Sequence, residues 1–210
     1  MLDIVFFALI AGFIMLKLFN VIGRIENNEY NNKKNIHSIL NELSNKKKKV
    51  VDVEIVSAAE AALPQKTRDV FDKIRKYEPT FDVTYFIEGV KKAFNTIIQA
   101  LNKGDKNTLK NLLSNEIFSL FNKELNRRKA SGQTYEVTVV GIKSVDILDT
   151  SIKNLDATIK VKIISEQIKV IKDKSEKIID GSSNRIINIQ DTWSFNKNIK
   201  KDSIWKLVAT

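Results

Sequence analysis

The stretch FDVTYFIEGVKKAFNTIIQAL, residues 81–101, indicates how the first half of the folded domain is built. Its apolar side chains recur at spacings of three and four residues, which places them on one face of a helix. They are Phe86, Val90, Ala93, Phe94, Ile97, Ile98 and Leu101. The pattern therefore predicts a long amphipathic helix that packs one face against a core.

Shorter helices are predicted on both sides of this segment, so that residues 66–131 are helical as a whole. Segment 67–77 carries an apolar face of its own. Gly104 suits the left-handed position after a helix, and Asp105 suits the N-cap of the next one. A last helix would begin at Ser114 and close at the basic residues 127–129, before Gly132.

From residue 134 onward the apolar period changes to two, the period of a half-buried strand. Segments 157–163, 187–195 and 205–209 alternate in this way, and segment 137–142 alternates with one slip. DGSS at 180–183 is a turn signal. Helices followed by successive antiparallel strands predict an α+β domain, with the helices packed on a curved antiparallel sheet.

The first 22 residues are predicted to be a transmembrane anchor. Residues 4–16 carry no charge, and residues 2–22 are just long enough to span the hydrocarbon layer. A cleaved signal peptide would need a basic start and a small-residue cleavage site, and a buried core helix would need a partner. The basic residues follow the apolar run, so the positive-inside rule places the C-terminal domain in the cytoplasm.

Composition excludes several classes of site. The 210 residues include no Cys and a single His, His37, which excludes disulfides, Cys-based metal centres and His-based triads. No metal and no cofactor is predicted. The net charge is +10, but only six basic residues are Arg, so codon bias explains the charge better than specific DNA binding does.

Residues 23–65 are predicted to be a polar, basic linker, and residues 66–210 the folded domain. Stretch 23–50 carries seven basic and three acidic residues. A solvated chain is one interpretation, and attraction to anionic headgroups is the other. The candidate lipid-facing residues are Lys46, Lys47, Lys48, Lys49, Arg127 and Arg128. For the two arginines, a solvated helix face is the alternative.

Several sequence phrases occur in the order found in a known family. They are the apolar start, segment 86–125, SEQIKV at 165–170, DTWSFNK at 191–197 and WKLVAT at 205–210. On these residues the chain resembles the Tim44-like family, named for the tether of the mitochondrial inner-membrane presequence translocase. The resemblance covers about residues 68–210. It implies a cone-shaped fold similar to nuclear transport factor two, with an apolar pocket and an association with inner membranes.

The resemblance also implies scaffolding in protein translocation or assembly rather than catalysis. The mitochondrial tether is peripheral, so the predicted anchor favours the family's bacterial branch and a single-pass protein of the bacterial inner membrane. The implied partner is a membrane protein or a translocating polypeptide, with anionic phospholipid and the ribosome as further candidates. Nothing in residues 23–65 matches the family's region for recruiting the seventy-kilodalton chaperone.

Six residues are candidates for lining the implied pocket: Phe86, Phe94, Asp191, Trp193, Phe195 and Trp205. Sheet core is the first interpretation of the aromatic rings, and a ligand or peptide pocket is the second. Asp191 shares a strand face with the rings, so we expect it to pair with a cation or cap a turn. As a catalytic base it would need Tyr77, Tyr85 or Tyr135 as hydrogen-bond donor. A ligand-binding or enzymatic cone, or a membrane-attached ribosome-binding module, is therefore the alternative function.

Overall fold

The computed structural model describes residues 60–210, which form an α+β domain. The helices are α1 (Gln65–Arg75), α2 (Val83–Lys103), α3 (Lys106–Leu112) and α4 (Asn115–Ser131). The strands are β1 (Thr134–Lys153), β2 (Asp156–Lys172), β3 (Ile178–Gly181), β4 (Ile187–Asn198) and β5 (Lys206–Ala209). The predicted anchor, most of the linker and residues 46–49 lie outside the described residues. Among the helices of residues 60–210, none has the length and apolar character needed to cross a membrane.

The helix ends follow the capping chemistry of the sequence. Asp105 and Ser114 accept backbone N–H bonds in the first turns of α3 and α4. Gly104 and Gly132 close α2 and α4, each with a φ of 66°, where a side chain would be strained. The predicted helix boundaries at these residues are confirmed.

The sheet is open and antiparallel, in the order β1-β2-β4-β5, with β3 pairing to β2 beyond the end of β4. Strands β1 and β2 form a long hairpin through Asn154 and Leu155, with φ values of 50° and 71°. Positive φ at both central residues is the geometry whose twist matches two-residue hairpins. The predicted fold class, helices packed on an antiparallel sheet, is confirmed; the cone shape stays a prediction.

Strand β1 is irregular along its length. Three register shifts against β2 leave Val140, Lys143 and Leu148 without a direct partner. Such bulges bend and twist a strand. The first of them explains the slip in the apolar alternation between Val139 and Ile142.

The core lies between the helices and one face of the sheet. The inward side chains of β2, such as Ile159 and Ile163, are fully buried. At the end of β4, the Lys197 Nζ lies 2.7 Å from the Glu78 Oε1 in the α1–α2 connection. This ion pair and the packed rings hold α2 against the sheet.

Candidate functional site

Five of the six predicted pocket residues form one connected aromatic cluster between α2 and the sheet. The ring centroids of Phe94 and Trp193 are 4.8 Å apart, and those of Trp193 and Phe195 are 6.2 Å apart. Phe86 then contacts Phe195 at 6.2 Å and Trp205 at 5.1 Å, both in edge-to-face geometry. The strand period of β4 and the helical period of α2 bring these rings together.

The cluster is filled by its own side chains. Phe86, Phe94, Trp193 and Phe195 are buried, and only Trp205 is partly exposed. This packing matches the core interpretation of the rings, and a pocket-lining role for them stays a prediction. Two surface cavities of the described residues lie elsewhere, one at the β4–β5 connection and one beside β1.

Asp191 lies on the same face of β4, opposite the buried Ile163 of β2. Burial raises the pKa of Asp191 to about 6. Within residues 60–210 its carboxylate makes no hydrogen bond or ion pair. Asp191 lies inside strand β4 rather than at a turn, and its one cross-strand neighbour is the apolar Ile163. A cation partner is absent from residues 60–210, and the expected pairing with a cation stays a prediction.

Within residues 60–210, none of the three tyrosines that catalysis by Asp191 would need as donors is hydrogen-bonded to it. Tyr77 and Tyr85 are 51% and 80% exposed. The Tyr135 hydroxyl accepts a hydrogen bond from the Arg127 guanidinium at 3.2 Å. Within residues 60–210, no group of three or more His, Cys, Asp or Glu side chains is placed to hold a metal ion.

The two candidate arginines are bound within the domain. Arg127 donates two hydrogen bonds of 2.8 Å to the Glu124 carboxylate, and the Arg128 Nε donates a third at 2.9 Å. Burial alone would raise the pKa of Glu124, but these donors outweigh it and lower that pKa. The Arg128 guanidinium also lies 4.0 Å from the centre of the Tyr135 ring. The pair therefore joins α4 to β1, and its contact with lipid stays a prediction.

A polar groove that no sequence pattern indicated lies between α2 and the start of β1. It is a cavity of about 210 Å³, bordered by Asn95, Ile98, Gln99 and Asn102 of α2 and by residues 137–139 of β1. The Asn102 Nδ2 donates to the Val137 carbonyl oxygen at 2.7 Å, and its Oδ1 accepts from the Val137 N–H at 3.1 Å. Because 35 positions separate the two residues, local spacing carries no signal for this contact.

The family model of the Tim44-like domain matches residues 67–210, which hold nearly all of α1 and every later element. The chain belongs to the Tim44-like domain family. The family resemblance drawn from the sequence phrases is thereby confirmed. The matched range of this Tim44-like domain includes both the aromatic cluster and the groove beside β1.

A curated relative of this Tim44-like chain is the mitochondrial import inner membrane translocase subunit TIM44-1 of Arabidopsis thaliana. The two are 20% identical over 127 residues, which cover 60% of this chain and 27% of the relative. The chain thus matches only a minor part of that relative's length. A solved structure, the intermembrane space region of the chloroplast protein ARC6, is similar at a TM-score of 0.39 and 13% identity. That match covers 62% of this chain and 95% of the ARC6 chain.

Proposed function

We propose that this chain is a non-enzymatic adaptor or tether for protein translocation or assembly at the bacterial inner membrane. The observation that carries the proposal is the Tim44-like match across residues 67–210. Family membership and a relative that is a translocase subunit support a general role in translocation at a membrane. The self-filled aromatic cluster supports scaffolding, since a domain that holds partners needs a rigid body and a contact surface.

The predicted anchor in residues 1–22 would hold the domain at the membrane, facing the cytoplasm. There it would contact a membrane protein or a translocating polypeptide, with anionic phospholipid as a further partner. We infer that any lipid contact falls to the linker lysines 46–49 rather than to Arg127 and Arg128. The guanidinium groups of those arginines are already bound to Glu124.

Fractionation of cells that produce the full chain tests the membrane part of the proposal. We expect the protein in the membrane pellet after carbonate extraction, at full length, and expect its release when residues 2–22 are deleted. A soluble full chain, or one shortened at its N-terminus, would contradict the anchor. Protease added to spheroplasts should spare the domain, and digestion of the domain would contradict the orientation.

Photo-crosslinking tests the adaptor role. A crosslinking residue is placed at exposed positions on separate parts of the domain, such as Tyr85 of α2 and Lys160 of β2. We expect adducts with a membrane protein or a translocating chain from one surface only. Equal adducts from every position, or none with either class of protein, would contradict the proposal.

A further inference from the structure

We infer that the groove between α2 and β1 binds an extended polypeptide segment, which joins the sheet as an additional strand beside β1. The inference rests on the proposed function, because it names the surface by which an adaptor would hold a polypeptide. The segment would pair through its main chain with residues 134–139.

The edge of β1 is open to such pairing. Within residues 60–210, β1 pairs with β2 alone, so its second side is not part of a ladder. The stretch 134–139 follows β2 without a register shift, and the first bulge comes only at Val140. The unpaired backbone N–H and C=O groups of an edge strand can pair with a further strand, whereas β-bulges obstruct such pairing. The regular stretch is therefore where a strand would add.

Asn102 already occupies one position of that missing strand. A carboxamide carries the same donor and acceptor as a peptide group. The Asn102 side chain satisfies both backbone groups of Val137, as a neighbouring strand would. These bonds also show that the N–H and C=O of Val137 point away from β2 and into the groove. An incoming strand would replace the Asn102 side chain at Val137.

The groove lining fits a main chain rather than an anion. None of the seven residues that border the groove is charged, although the chain carries a net charge of +10. Asn95 and Gln99 offer amide donors and acceptors along the helix side, and Ile98 offers apolar contact for a side chain. Main-chain bonds supply affinity in strand addition, while alternate side chains supply selectivity. A neutral groove with three amides is therefore suited to a polypeptide backbone.

Hydrogen exchange on the full chain in detergent micelles tests this pairing, with reduced and carboxymethylated α-lactalbumin as the unfolded polypeptide probe. We expect the probe to slow exchange in residues 134–139 by about fivefold or more, as new backbone hydrogen bonds form there. Val137→Pro removes the outward N–H without removing a bond to β2, so it should abolish the slowing. Val137→Ile retains that N–H and is the matched control, with slowing as in the native chain.

Asn102→Ala gives a second measurement that does not depend on the folding of the proline variant. It removes a group that the incoming strand must displace, so the probe should bind about three- to tenfold more tightly. Unchanged or weaker binding by Asn102→Ala would overturn the inference, as would equal slowing in Val137→Pro and Val137→Ile. Slowing confined to another part of the domain would overturn it too. In that case the adaptor role would stand, whereas a chain absent from the membrane fraction would contradict the proposed function itself.

Discussion

Replacing Asp191 with Asn should stabilise the protein at neutral pH. Burial raises the pKa of this carboxyl to about 6, and no partner within residues 60–210 compensates. An Asp in an unfolded chain titrates near about 3.9. The folded state therefore holds the proton more tightly, so its stability is highest below about pH 4 and declines as the pH rises to about 6.

The magnitude follows from the difference between the two pKa values. About two pH units, at about 1.4 kcal/mol per unit, give about 3 kcal/mol of stability lost on ionisation of Asp191. Asn has nearly the same shape and carries no charge, so Asp191→Asn should avoid this loss above about pH 6. For a domain of this size, the gain corresponds to a rise in Tm of about 6–12 °C.

Urea denaturation of the full chain in micelles, from about pH 4 to about pH 7.5, measures this effect. We expect Asp191→Asn to be more stable than the native chain at the upper pH, with a difference that vanishes towards the lower one. Asp180→Asn, on the exposed strand β3, is the matched control and should stay within about 0.5 kcal/mol. A gain that is absent at neutral pH, or equal at both ends of the range, would show that desolvation of Asp191 is not the cause.

Two further substitutions test how the sheet is held. Glu78→Gln leaves the buried Lys197 ammonium without its carboxylate, so urea denaturation should show a free energy of unfolding lower by about 3 kcal/mol. Adding Lys197→Met should restore part of that loss. A loss under about 0.5 kcal/mol would contradict this role of the ion pair. In Gly181→Ala, a Cβ at φ 81° would collide with the Lys169 carbonyl oxygen and disrupt β3, whereas Gly104→Ala meets open space. Gly104→Ala should therefore lower the free energy of unfolding by only about 1–2 kcal/mol, and Gly181→Ala should lower it by more. Equal losses in the two variants would contradict the predicted collision at Gly181.

Local chemistry explains which parts of the fold could be predicted. Asp105 and Ser114 bond to N–H groups within three residues of themselves, so their sequence neighbours already indicate the helix starts. Trp193 and Phe195 alternate with polar residues, and that period places both on one face of a strand. Even the bulge near Val140 left a trace, as a slip in the alternation.

Contacts between residues far apart in the chain left no recognisable pattern in the sequence. The Asn102 side chain meets Val137 because α2 ends beside an open sheet edge, and an Asn near a helix end has many other uses. The alternation of β4 places Asp191 on the inner face, but the absence of a partner for it within residues 60–210 depends on which residues surround it. Leu155 adopts a positive φ that its residue type disfavours, because the hairpin twist and the contact of its side chain with the core require it.

The spacing of apolar residues and the capping of helix ends depend on interactions within one helical turn or one strand pleat. The local sequence alone therefore determines them. The amphipathic helices, the alternating strands and the Tim44-like sequence motifs of this protein are all features that local sequence determines. The register between strands and the packing of α2 bring together groups that are tens of positions apart. Three features of residues 60–210 therefore emerge only when the chain is packed: the filled aromatic cluster, the absence of a partner for the Asp191 carboxylate there, and the side of β1 that no strand of that range pairs with.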